Sequence, residues 1–350
     1  MFQTREASLD ILRGLVLALM IVVNNPGGNQ YYSILLHNYE SYSIHLVYSG
    51  LSLADLVLPL FIFVLGATVP LSFTRRLQRQ SKRRLLIHVL LRALVLFALG
   101  LVINGFPYYS LGTFRIMGVL QMIALAYLVA SLAFLFLRTK WRVILTIIIP
   151  LAYWILLIQG PLTMIGNIPA QVDNFVLRSG HIYNGIYDPE GLLSTFSACA
   201  TVLIGVLVGE YLLSEKEAKI KVKNFGIFSL LLIAIGLLWS FWLPINKGLW
   251  TSSYVVLASG ISLALLAFCY IVKNHAIMTE PFKMLGLNCI IIYVLSELLN
   301  LALIYSGWKS TIFSFFPSGS FGSLLYSIAY LGLFGLMAGL MYWKKVFIKI

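Results

Sequence analysis

Charge is what this sequence has least of. Only 11% of its 350 residues are charged, and Asp and Glu together number 12. A soluble domain carries roughly a quarter charged residues, so this chain cannot coat itself for water. Cysteine is scarcer still. The three cysteines, Cys199, Cys269 and Cys289, lie in apolar stretches without the spacing of a redox pair or a metal site. They read as small packing residues, and neither a disulfide nor a metal is expected. Long polar linkers are also missing, so residues 1–350 are expected to form a single domain. No repeat stands out, direct or inverted. That counts modestly against secondary transporters, which are often built from repeats.

What the chain has instead is apolar length. Hydrophobic residues make up 60% of it and its mean hydropathy is +0.92. Several runs reach about 20 residues, enough for a helix to cross hydrocarbon. The expected fold is an all-α polytopic membrane protein with ten spans. They are placed at 8–25, 52–74, 85–104, 114–137, 143–159, 190–213, 225–243, 250–272, 284–305 and 322–343. Arg13 interrupts the first run and no small-residue cleavage site follows, so it reads as an uncleaved span rather than a signal peptide.

A net charge of +13 invites a nucleic-acid reading, but its placement argues for a lipid bilayer. Lys and Arg crowd the connectors 75–84, 138–142, 214–224 and 344–349, which alternate with connectors nearly free of them. This is the positive-inside pattern. It puts both termini in the cytoplasm and leaves nucleic acid no role. Of the 25 basic residues, Arg115, Arg178, Lys247 and Lys309 fall outside, and Arg13 and Arg92 within spans.

Ionisable groups inside hydrocarbon cost several kcal/mol unless paired or hydrated. Asp10 and Arg13 are three residues apart and share a helix face. They read as an interfacial ion pair or as the cytoplasmic lip of a cavity for an anionic ligand. Snorkelling is enough to explain His88 and Arg92. Arg115 opens the fourth span on the side where cations are scarce, either as an anchor or, with Gln121, as the lining of a polar cavity. Glu297, mid-way along the ninth span and more than two turns after Asn288, points to a hydrated pathway. Ser52-Leu53-Ala54-Asp55 resembles a capping box. Asp188-Pro189-Glu190 places an N-cap before a proline at the first helical position.

The stretch from Asn24 to Pro59 gathers a second polar group between two apolar spans. His37 and His45 are each competent as a general base or as a nucleophile. Asn24 is an amide that could donate to an oxyanion, and Asp55 could orient an imidazole. Residue chemistry alone does not choose between the histidines.

Several segments together resemble the heparan-α-glucosaminide N-acetyltransferase family, in a short bacterial form. They are 8–14 (SLDILRG), Val23-Asn24, His45 through Pro59, and 115–121 (RIMGVLQ). Tyr187-Asp188-Pro189-Glu190-Gly191, Asn246 through Tyr254 and Asn288 through Glu297 complete the match. The resemblance implies an acetyltransferase of the bacterial inner membrane. The acetyl group of cytoplasmic acetyl-CoA would pass to the amine of a glucosamine-type sugar on the far side, without a metal. It places the active histidine at His45 and the essential asparagine at Asn24, with Asp55 beside them. It implies Arg13, Arg115, Asn288 and Glu297 for acetyl-CoA, with Arg13 and the basic 75–84 loop as candidates for its phosphates, and Tyr48, Asp188, Glu190, Lys247 and Trp250 for the acceptor. It also suggests a homodimer. Tyr48 and Ser49 depart from the family pattern near the acceptor, and the 160–188 loop is short. Rival readings are a sugar or solute transporter of the inner membrane and an O-acyltransferase acting on a surface glycan.

Overall fold

The structure is a computed structural model that describes residues 6–27, 51–110 and 112–348. The helices in chain order are α1 (Ala7–Asn24), α2 (Leu53–Leu77), α3 (Lys82–Gly105), α4 (Val119–Phe136), α5 (Thr139–Leu157), α6 (Ile168–Leu177) and α7 (Leu192–Leu212). They continue with α8 (Ala218–Trp239), α9 (Ser252–Val272), α10 (Ala276–Leu287), α11 (Cys289–Tyr305), α12 (Trp308–Phe313) and α13 (Gly319–Trp343). Among the described residues, nine helices are long and apolar enough to cross a membrane. α10 and α11 meet at a 75° bend and supply a tenth span if taken together. The all-α polytopic reading holds.

Local sequence explains much of this. Asp55 Oδ2 accepts from Ser52 N at 2.9 Å, and Ser52 Oγ accepts from Asp55 N at 3.3 Å, so the capping box that starts α2 is real. Small residues then let helices meet. A Cβ on Gly66 of α2 would stand 2.1 Å from Val202 O, and one on Gly205 of α7 would stand 2.2 Å from Phe63 O. Any side chain there would push the two helices apart, the logic of small-residue seams in membranes. α2 is the inner helix of the bundle, 78% buried over its apolar window, whereas α3 and α8 are 17% buried. Those outer helices turn Leu91, Leu94 and Leu230 outward, where lipid tails cover apolar surface that water would not.

Successive spans alternate in direction, so the basic connectors gather at one end of the bundle. Their cations also do structural work there. Arg142 bonds Glu210 and donates to Leu137 O at 2.6 Å, closing the C-terminus of α4. Lys221 Nζ donates to Leu212 O at 2.8 Å at the end of α7. Unpaired carbonyls at helix ends attract cations in this way.

Three sequence expectations need correction. Arg115 does not open the fourth span, because α4 starts at Val119. Residues before it run outside the helix, pinned by Asn104 Nδ2, which donates to Arg115 O at 3.0 Å and Met117 O at 2.9 Å. Pro189 is not at a first helical position either: α7 begins at Leu192 after Gly191. Asp188 folds back instead, accepting from Glu190 N at 3.0 Å. Finally, the ninth span is not continuous. Asn288 sits at its break, so it and Glu297 do not share one straight helix. The 160–188 loop carries a helix of its own, α6, which the sequence reading left out.

Candidate active site

At the end opposite the basic connectors, residues far apart in sequence converge. Arg115 meets Asp188 through two bonds, Nε to Oδ2 at 2.9 Å and Nη2 to Oδ1 at 2.5 Å, and reaches Glu190 Oε2 at 2.5 Å. Burial opposes the arginine's charge, but Glu190 and Asp188 outweigh it and hold its pKa above the ordinary value. The guanidinium also covers the ring of Tyr183 at 4.9 Å. This three-membered ion group ties the segment before α4 to the segment before α7.

Next to it lies a second polar group. Asn24, the last residue of α1, donates from Nδ2 to Glu297 Oε1 of α11 at 2.9 Å. Buried Tyr293, one turn before Glu297, is within electrostatic reach of Glu297, Glu190 and Arg115, which links the two groups. Lys309 of α12 donates to Asn300 Oδ1 at 2.9 Å and also interacts with Glu297. Burial lowers its pKa, against the pull of Glu297.

Asp55 faces this end too. Its Oδ2 is engaged by Ser52, Oδ1 lies 4.0 Å from Lys247 Nζ, and its backbone carbonyl accepts from Tyr254 at 2.5 Å. Trp250, expected to contact the acceptor, is wholly buried and packs edge-to-face on Tyr254 with ring centroids 5.5 Å apart. His45 and Tyr48, like the competing His37, lie outside the described residues.

The basic end holds a cavity of about 440 Å³. Arg13, Arg75, Arg76, Arg92, His88 and Asn288 line it. It reaches inward to Phe61, about 22 Å along α2 from Arg76 by helix rise. From Phe61 to Asp55, at the other end, is about another 9 Å. Arg13 is balanced by Asp10 at 3.1 Å. Among the described residues, no carboxylate lies within ion-pair distance of Arg75, Arg76 or Arg92. Glu6 and Asp10 also line the cavity, so its four arginines leave it with a net positive charge, which suits a phosphorylated ligand.

The four residues expected to serve acetyl-CoA are thus split. Arg13 and Asn288 line the basic-end cavity, whereas Arg115 and Glu297 belong to the opposite end. Sequence reasoning set Arg92 and His88 aside because each alone needs only snorkelling. Arg75 and Arg76 belong to the loop already named for the phosphates, but that Arg92 and His88 join them around one cavity has no local signal. Tyr293 was missed for the same reason.

Residues 5–237 match the family described as heparan-alpha-glucosaminide N-acetyltransferase, catalytic. The chain belongs to this family. Curated relatives include the heparan-alpha-glucosaminide N-acetyltransferases of Mus musculus and Homo sapiens, each 29% identical over 99% of this chain. The aligned part covers 62% of the mouse protein and 60% of the human one. The family match ends within α8, and the mouse and human alignments extend over nearly all of the chain.

Proposed function

We propose that this protein is a transmembrane acetyltransferase. It takes the acetyl group of acetyl-CoA at the basic end and passes it to the amine of a glucosamine-type sugar at the opposite end. The observation that carries the reading is the arginine-lined cavity, which enters at the basic end and points along α2 toward Asp55. Coenzyme A bears several phosphate charges and does not cross hydrocarbon, whereas an acetyl group is small and neutral. The positive-inside rule puts the basic end in the cytoplasm, where acetyl-CoA is made, of a bacterial inner membrane.

In this scheme Arg75, Arg76, Arg92 and Arg13 hold the nucleotide phosphates and the pantetheine arm extends inward. His45 attacks the thioester carbonyl, the C–S bond breaks, and coenzyme A leaves as the thiol after taking up a proton. The acetyl group then sits on the imidazole. The free amine of the sugar attacks it, the bond from acetyl carbon to imidazole nitrogen breaks, and the amine loses a proton. Asn24 contacts the reacting groups. Asp188 and Glu190, held by Arg115, form the wall of the acceptor site with Lys247. Direct transfer, with His45 as the base that deprotonates the ammonium, uses the same residues.

Inside-out vesicles supplied with labelled acetyl-CoA and enclosed glucosamine test the reading. Labelled N-acetylglucosamine inside the vesicles, lost in His45→Ala, supports it. Solute uptake without acetylation, acetylation of hydroxyls alone, or transfer indifferent to His45 would overturn it.

A further inference from the structure

We infer that Glu297 is a positioning residue for the transfer, acting through Asn24 and held in place by Lys309 and Asn300. The inference rests on the function proposed above. It moves Glu297 away from the donor site to which sequence reading had assigned it.

Asn24 ends α1 with its side chain exposed, a position where an amide has several orientations open to it. Its contact with Glu297 bridges 273 residues at 2.9 Å. In this contact the amide turns its NH2 group toward Glu297 Oε1 and its carbonyl away. Asn24 then presents Oδ1 and one remaining N–H. Oδ1 accepts from the hydrogens of an incoming amine, and the N–H can serve the acetyl oxygen.

Glu297 has its own supports. Lys309 Nζ interacts with its charge and is anchored on Asn300 Oδ1 at 2.9 Å, one turn further along α11. Tyr293 and Tyr330 are within electrostatic reach from α11 and α13. A carboxylate in a span costs several kcal/mol unless compensated. Here the compensation comes from α12, while the free side of the carboxylate is spent on one exposed amide. An anchor between α1 and α11 could be apolar. Only a carboxylate fixes which face of the Asn24 amide looks outward.

The test is steady-state kinetics in reconstituted vesicles with acetyl-CoA and glucosamine. Glu297→Gln can donate as well as accept, so it lets the Asn24 amide turn over. The expected result is a kcat lower by roughly 10- to 100-fold, the range for a hydrogen bond to a charged group, with the KM for acetyl-CoA unchanged. The double variant with Asn24→Ala should be no slower than Asn24→Ala alone. Lys309→Met, which leaves the Asn24–Glu297 bond in place, should lower kcat less. It also keeps the question answerable if Glu297→Gln does not fold. A raised acetyl-CoA KM with kcat intact, fully additive losses, or a Lys309→Met variant slower than Asn24→Ala would overturn the inference while leaving the proposed function standing. A wild-type protein inactive toward amino sugars would overturn both.

Discussion

Replacing Arg115 with methionine would leave Asp188 and Glu190 side by side without their cation. The Asp188 side chain is 0% exposed, Glu190 10% and Arg115 22%. Truncating one partner of a buried ion pair costs about 3–5 kcal/mol, because the stranded charge keeps its desolvation penalty. The partial exposure of Arg115 lets water screen the group, so the low end, about 3 kcal/mol, is expected. That is a factor of roughly 10² in the unfolding equilibrium, or about 6 °C in midpoint at about 2 °C per kcal/mol. The protein supplies its own probe. Cys199, Cys269 and Cys289 are all buried, so a fluorogenic maleimide reports their exposure as the bundle opens on heating. The informative comparison is the triple change Arg115→Met, Asp188→Asn and Glu190→Gln, which removes all three charges and should recover more than half of the loss. A single variant within about 1 °C of wild type, or a triple variant as unstable as the single one, would refute the claim that this ion group ties the two segments together.

Three further outcomes follow from the same geometry. Asn288 holds the chain end through Val346 O and Ile348 N, each at 3.0 Å; Asn288→Ala should release it and speed tryptic cleavage at Lys344 and Lys345 about tenfold. Arg142→Met strands Glu210 and the carbonyl of Leu137 and should cost about 3 kcal/mol, whereas Glu210→Gln should cost less, read by the same thiol probe. Burial raises Asp173 to about 6, against a bond from Leu192 N and with help from Asp188. Its native state therefore binds the proton better than the unfolded chain, and stability should fall as pH rises from about 4 to about 6 and stay lower above. Asp173→Asn should flatten midpoints measured across pH 4–7, and an unchanged slope would count against the assignment.

The spans were readable because hydrocarbon imposes a length and a composition that a single sequence displays. Ser52 with Asp55 and Asp10 with Arg13 were readable for a similar reason, since partners three residues apart announce one another. Arg115 was not, because its partners lie 73 and 75 residues away. With those partners unseen, the run beginning at Phe114 looked like the start of an apolar span. The Asp188-Pro189-Glu190 triplet carries sound N-cap chemistry, yet tertiary pairing to Arg115 outcompeted it and α7 starts later. The break at Asn288 was hidden because the flanking residues are apolar on both sides.

Arg13, Arg115, Asn288 and Glu297, which the family resemblance groups for acetyl-CoA, divide between the two ends of the bundle. Alternation of the spans already put Arg13 and Arg115 at opposite ends, and a nucleotide excluded from hydrocarbon cannot touch both. Only the neutral acyl arm can extend from one end toward the other. Arg75 and Arg76 fall at the basic end by the same alternation, but their convergence with Arg92 of α3 on one cavity has no such signal. The face each residue presents depends on how two helices are rotated against one another. Close packing sets such rotations, as where small residues seat α2 on α7 at Gly66 against Val202 and Gly205 against Phe63, and no local pattern in a single sequence states them.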